Sequence, residues 1–218
     1  EESKVPVAEV PFPEDYLGSV CVFCSASLEE PSYLADGEAF GRILAENKIG
    51  CISGAGRSGI MGAVVKGAVA AGGWTAGSNV PHIIELEGLP EGLSTFWLRP
   101  DIYTRMEVMI ENSDGFVIFP GGAGTVQELL ALMIFKHRKN PVMDGKPVVV
   151  FNRQNHAGIG FWDPLIDLLS GLCAPGDFVV ASRLDDLLPA LLPGMKRLRS
   201  AGSPRSGTAA EQDQELAA

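Results

Sequence analysis

The apolar run Gly115-Phe116-Val117-Ile118-Phe119 passes without a break into Pro120-Gly121-Gly122-Ala123-Gly124-Thr125, and from there into Val126-Gln127-Glu128-Leu129-Leu130. A strand that ends on a glycine-rich turn and restarts as a helix is half of a strand–helix–strand crossover. Such a unit commits the chain to a sheet with helices laid over it. The glycines leave backbone N–H groups uncovered, and the helix that follows turns its positive end to the same spot. That combination suits a phosphate or another compact anion. A second corner of this kind, Gly54-Ala55-Gly56-Arg57-Ser58-Gly59, follows the apolar segment Ile49–Ser53. Two anion corners in one chain point to a phosphorylated small molecule.

The rest of the pattern alternates in the same sense. Strands are expected at Ser19–Cys24, Ile49–Ser53, Trp74–Asn79, Gly115–Phe119, Pro147–Phe151 and Phe178–Val180, with a short one around Phe96–Leu98. Helices are expected at Pro31–Asn47, Gly59–Ala71, Asp101–Asn112, Gly124–His137, Phe161–Leu169 and Asp185–Leu192. The second of these is built of small residues, which permits close approach to a sheet. Strict alternation predicts an α/β fold, a parallel sheet with helices on both faces. Ligands of such sheets bind at the carboxyl ends of the strands, and both glycine corners fall there.

Residues 1–17 read as a flexible N-terminal arm, 18–195 as a single nucleotide-binding domain, and 196–218 as a disordered tail. Of the net charge of −10, −4 falls in residues 1–15 and +1 in residues 196–218, leaving −7 for the body. An acidic body repels nucleic acid and anionic membranes, so neither is an expected partner. A phosphate site within it has to be local, made of amides and one or two arginines. Cys21 and Cys24 form a C-x-x-C inside a strand, with no second pair or nearby histidine, and read as buried reduced thiols. Reduced thiols indicate a cytoplasmic location. His82, His137 and His156 show no ligand spacing, and neither a metal nor a cofactor is expected.

Gly54–Gly59 matches G-x-G-x-x-G, the dinucleotide fingerprint, but follows the second strand, and the next strand ends in Ser78-Asn79 rather than in a ribose-binding acid. A dinucleotide is therefore disfavoured, and the alternative to an anion corner is that these glycines merely allow a tight turn and helix–sheet packing. At the other corner, Thr125-Val126-Gln127-Glu128 fits a capping box, which accounts for Thr125 and Glu128 without a ligand. It does not account for Pro120-Gly121-Gly122. If the Thr125 amides hold a phosphate, Glu128 stands one helical turn, about 5 Å, further on. Ser25 and Ser27 follow the first strand and offer hydroxyls to the same rim, as does Asn79 its amide. The helix of Arg105 leads straight into the strand that ends at Pro120, so its beginning falls on the opposite rim unless the chain doubles over, and spacing alone does not place Arg105 in the site.

Phe119–Glu128 resembles the PGGxGTxxE signature of the LONELY GUY family, long mislabelled as lysine decarboxylases. The resemblance extends from residue 19 to about residue 193 and takes in the Gly54–Gly62 loop, the segment Arg105–Asp114 and Lys146-Pro147-Val148. It implies a Rossmann-like fold, a homodimer, and a phosphoribohydrolase that releases a purine base from a nucleoside 5′-monophosphate, leaving ribose 5-phosphate. It also implies a catalytic pair. The family's arginine, fifteen residues before the signature, falls on Arg105, and the closing glutamate falls on Glu128. Three positions depart from the family pattern: Met106 stands where a lysine is common, Ala55 where the middle glycine of a triplet is common, and Ser25-Ala26-Ser27 where Gly-Ser-Ser is common.

On this reading Glu128 stabilises the sugar cation and positions or deprotonates water, while Arg105 holds the substrate or assists the departing base. Gly121, Gly122, Gly124 and Thr125 anchor the 5′-phosphate. Gly56, Ser58 and Gly59 form the other wall, with Ser25 beside them. The rival reading is a carrier that binds a phosphorylated cofactor, such as the molybdenum cofactor, without breaking it.

Overall fold

The structure, a computed structural model, describes residues 9–202. The elements run β1 (Gly18–Phe23), α1 (Pro31–Glu46), β2 (Ile49–Ser53), α2 (Gly59–Ala70), β3 (Thr75–Asn79), α3 (Pro81–Glu87), β4 (Thr95–Leu98), α4 (Ile102–Glu111), β5 (Gly115–Ile118), α5 (Ala123–His137), β6 (Val148–Phe151), α6 (Asp163–Ser170), β7 (Val179–Ala181) and α7 (Leu187–Ser200). The seven strands form one parallel sheet in the order β4-β3-β2-β1-β5-β6-β7. This is the Rossmann-like α/β architecture that the alternation predicts. The strand order reverses between β1 and β5, where the two crossovers diverge and open a crevice above the carboxyl ends.

The central strands are buried along their whole length, so their side chains sort by the two-residue period rather than by polarity. Val20, Val22, Val117, Phe119, Val149 and Phe151 pack under α1, α2 and α7. Cys21, Phe23, Phe116, Ile118, Val148 and Val150 pack under α4, α5 and α6. Cys21 and Cys24 therefore lie in different layers, and all four cysteines are free thiols.

The small residues of α2 serve a neighbouring helix more than the sheet. A side chain on Gly41 of α1 would run into the Val64 carbonyl, and one on Gly67 of α2 would run into the Glu38 carbonyl. The two helices touch backbone to backbone.

Three details depart from the sequence expectation. A short helix, α3, occupies Pro81–Glu87, where no periodic pattern is legible, and none of its residues is buried. Residues 9–17, read as the second half of a loose arm, are held on the body. Phe12 meets Trp74 edge-on at 4.8 Å and Tyr16 at 5.6 Å. The Val10 carbonyl accepts from Trp74 Nε1 at 2.8 Å and from Thr95 Oγ1 at 3.1 Å, which covers the β4 edge. The third departure is at the other end, where α7 continues to Ser200 and Arg199 donates to the carbonyls of Tyr16 and Glu14. The remainder of the expected arm and tail lies outside the described residues.

Candidate functional site

The β5–α5 corner is open. Helix α5 starts at Ala123 with Gly122 as its N-cap, and no side chain caps it. The first amide with a helical carbonyl partner is that of Val126, which donates to Gly122 O at 3.1 Å. The amides of Ala123, Gly124 and Thr125 come before it and are among the orphan donors that every helix start presents. Gly122 and Gly124 are exposed, and a methyl group built on either meets nothing within 4 Å. Gly121 is different: a side chain there would collide with the Thr125 hydroxyl, so its glycine lets Thr125 close against the loop. Thr125 is buried, and its hydroxyl makes no hydrogen bond among the described residues.

This geometry removes the capping box. Thr125 is the third residue of the helix and Glu128 the sixth, so the two are not in the N-cap and N3 positions of such a box, and no side-chain cap hydrogen bond is made among the described residues. The glutamate is left without a structural duty. It is half-buried and makes no hydrogen bond or ion pair among the described residues. Protein crowds its carboxyl: burial pushes the group up to about 7, and the positive charge of Arg105 works against that rise. The charge of Glu128 itself reaches the thiols on the floor of the site. Burial first, and the Glu128 charge second, raise the Cys21 and Cys24 thiols well above their ordinary range.

Arg105 stands on the same rim as the cup, contrary to the expectation from its place before β5. The helix carrying it follows β4 and runs antiparallel to the strands, so its first turn lies at their carboxyl ends. Asp101 caps that turn through the amides of Tyr103 and Thr104. Arg105 Nε donates to Ser78 O at 2.9 Å and Nη2 to Gly54 O at 3.1 Å. Two carbonyls at the ends of β3 and β2 thus orient the guanidinium and leave three of its five N–H donors for other partners. A side chain at Gly54 would run into Nη2, so the guanidinium would have to leave this position. Met106, the next residue, packs against the core layer below α4.

The β2–α2 corner is filled. Gly56 is buried and its amide donates to Met61 Sδ at 3.0 Å. Gly59 has φ +62°, and a side chain there would come within 2.5 Å of the Ala26 backbone. Ser58 caps α2 without a side-chain hydrogen bond, so its exposed hydroxyl is uncommitted. Ser25 joins the two corners. Its amide donates to Pro120 O at 3.2 Å, and its carbonyl accepts from Met61 N at 3.1 Å. Its hydroxyl oxygen accepts from the amides of Ser27 and Leu28 at 3.0 Å each. The sequence offers Ser25 as an anion donor; in the fold its backbone braces the ends of β1 and β5 against the start of α2.

Asn79 and Glu87 lie on this rim as well. Asn79 is fully buried and its side-chain Nδ2 has no partner among the described residues. Among those residues no group of three His, Cys, Asp or Glu could hold a metal, and no helix is long and apolar enough to cross a membrane.

Residues 61–188 match the family model described as "Possible lysine decarboxylase". The chain belongs to the LONELY GUY family. Among its relatives, the cytokinin riboside 5′-monophosphate phosphoribohydrolase of Mycobacterium marinum is 29% identical over 184 residues, covering 81% of this chain and 94% of the relative. The enzyme of the same name from Rhodococcoides fascians is 28% identical over 167 residues, covering 76% and 80%. Among solved structures, the Moco carrier protein of Chlamydomonas reinhardtii superposes with a TM-score of 0.60 at 20% identity, over 83% of this chain and 99% of that one. The molybdenum cofactor binding protein of Rippkaea orientalis gives 0.59 at 18%, over 79% and 93%. At these identities the structural likeness is one of fold. LONELY GUY membership agrees with the Rossmann-like sheet.

Proposed function

We propose that this chain is a phosphoribohydrolase that cleaves the N-glycosidic bond of a purine nucleoside 5′-monophosphate, of cytokinin type or AMP, and releases the free base and ribose 5-phosphate. The observation that carries the proposal is Glu128: a half-buried carboxyl with no hydrogen-bond or ion-pair partner among the described residues, one turn beyond an open amide cup and within electrostatic reach of an oriented arginine. The names of the relatives support the same reaction.

In the proposed complex the 5′-phosphate sits on the amides of Gly122–Thr125 and the Thr125 hydroxyl. That anchor carries the ribose to Glu128. As the bond from C1′ to the base nitrogen breaks, its electron pair leaves with the base and positive charge develops on the sugar. Glu128 stabilises that charge and takes a proton from the water that attacks C1′. Arg105 holds the substrate from the opposite wall, and the departing base gains its proton from solvent or from the Arg105 side. Anchoring the phosphate supplies positioning, worth several kcal/mol in favourable cases, so a free nucleoside is a poor substrate.

We further propose a cytoplasmic homodimer. Tyr103 on α4 and Leu130 and Ile134 on α5 are exposed apolar residues next to the site, which suits an interface between copies.

The test is a panel of nucleoside 5′-monophosphates and the matching nucleosides, scored for free base and ribose 5-phosphate. Release from the monophosphates alone is expected. Tight binding of nucleotides with no base released from any of them would overturn the hydrolase and favour the carrier.

A further inference from the structure

The two glycine corners sit two strands apart, because β5, β1 and β2 are consecutive in the sheet. At a strand spacing near 4.8 Å this is about 10 Å, a span that a nucleoside monophosphate bridges. With the phosphate in the β5 cup, the base reaches the β2 corner. That corner is built differently from a second phosphate site. Its Gly56 amide is already given to Met61 Sδ, and a carboxylate stands over it. A methyl group placed on Gly56 would meet Glu87 Oε2 at 3.0 Å and Ala26 Cβ at 3.2 Å, so three rim segments converge on this one residue. Glu87 is the last residue of α3. Gly88, at φ +68°, reverses the chain immediately after it and donates to Ile84 O at 2.8 Å, which fixes the end of the helix over the loop. The Arg57 guanidinium lies alongside, 3.2 Å from where a Gly88 side chain would begin. Neither Glu87 nor Arg57 makes a side-chain hydrogen bond or ion pair among the described residues.

We infer that Glu87 reads the base: its carboxylate over Gly56 accepts a hydrogen bond from an exocyclic amino group, which makes aminopurine nucleotides the preferred ligands of this site. The inference rests on the nucleotide reading proposed above and deepens it. A carboxylate offers only acceptors, so it favours a base edge that presents an N–H. It disfavours a second phosphate at the same place by charge. The chemistry is shared by adenine and guanine, which both carry the amine.

The test compares AMP, GMP and purine ribonucleotide, which lacks the amine, by calorimetric binding in the Glu128→Gln background, with and without Glu87→Ala. Ribose 5-phosphate is the reference ligand. The aminopurine that fits is expected to bind at least about tenfold more tightly than purine ribonucleotide. Glu87→Ala is expected to abolish that ratio and leave ribose 5-phosphate unchanged, and Glu87→Gln, which keeps an acceptor, to restore most of it. AMP or GMP as the tighter ligand identifies the base. A ratio unaffected by Glu87→Ala overturns the inference. Because binding is read rather than turnover, a shifted ratio without any base release by the wild-type protein would overturn the hydrolase and leave Glu87 in its role.

Discussion

The two glycine corners look alike as strings of letters and mean different things in space. At Gly122 and Gly124 the volume a side chain would fill is empty; at Gly54, Gly56 and Gly59 it is taken by Arg105, by Glu87 with Met61 and Ala26, and by the Ala26 backbone. The first set leaves a helix start bare, as the proposed phosphate site requires. The second lets protein close on protein, and in doing so fixes the guanidinium that faces the first. A glycine-rich turn after a strand thus marks either a ligand cup or a packing joint, and only the neighbours at the missing Cβ distinguish them.

The sharpest way to break this division of labour is at Glu128, the carboxyl beside the cup that makes no hydrogen bond or ion pair among the described residues. Glu128→Gln is expected to lower kcat by about three orders of magnitude, within the range of a lost general base. In the wild-type protein the rate is expected to rise with pH through about 7, as the carboxyl ionises. Stability moves the opposite way. A carboxyl raised in the folded state is at no disadvantage below its unfolded value, and destabilises increasingly as pH climbs from there through the folded value. Glu128→Gln is therefore expected to be more stable than wild type at pH 8, by about 1–2 kcal/mol after allowance for partial solvent contact, and equal at pH 4. Paired thermal melts at the two pH values check this. A variant that keeps full turnover removes Glu128 from the chemistry.

At the packing joint the expected effect falls on the fold. Gly59→Ala has to adopt φ +62° and press a methyl against the Ala26 carbonyl carbon at 2.5 Å. Left-handed strain of about 1–2 kcal/mol adds to a backbone collision that no side-chain rotation relieves. A loss near 3 kcal/mol is expected, read as a fall in Tm of roughly 6–12 °C. At the cup, Gly122→Ala has the reverse signature. Its φ of −99° suits alanine, and space is free. Loss of glycine at an N-cap costs about 1 kcal/mol or less, so Tm shifts by a few degrees at most. A methyl over the orphan amides is nonetheless expected to lower kcat/KM at least tenfold, about 1.4 kcal/mol, with the loss appearing in KM for the nucleotide. If Gly122→Ala unfolds the protein and Gly59→Ala does not, the two corners have been assigned the wrong way round.

What the sequence made legible was local, and what it hid was not. Strand, turn and helix at 115–137 follow from adjacent residues, as does the sheet they imply. The helix starts one residue before the expected Gly124, and its N-cap, Gly122, lies three residues before the Thr125 that a capping box requires; Thr-x-x-Glu is satisfied on paper wherever the true N-cap lies. Helix α3 is seven residues with none buried, too short for a period to register. Phe12 looked loose because its partner, Trp74, is 62 positions away. Arg105 shares the rim of the cup because a helix that feeds a parallel strand begins at the carboxyl end of the sheet, so its first turn, and not its last, lies there, a direction that spacing along the chain does not reveal.

The smallest expected effect tests whether the second corner needs glycine at its centre. Ala55 is the position where related loops commonly have glycine, and it sits at φ +57°, fully buried, with its methyl directed at β3 near Gly77. Three terms decide Ala55→Gly. Relief of left-handed strain favours the variant by about 1–2 kcal/mol. Loss of a buried methyl opposes it by about 0.8 kcal/mol. Greater freedom of the unfolded chain opposes it by a further 0.4–1 kcal/mol or so. The sum is close to zero, and a Tm change within roughly 3 °C is expected. Arg105 is held by the carbonyl of Gly54, one residue earlier, so the same variant also asks whether loop stiffness transmits to the site. Unchanged kcat with unchanged Tm makes Ala55 a neutral replacement in a packing joint. A stabilisation beyond 2 kcal/mol would show that the strain at Ala55 is retained for a purpose, and an accompanying fall in kcat would name that purpose as the aim of the guanidinium.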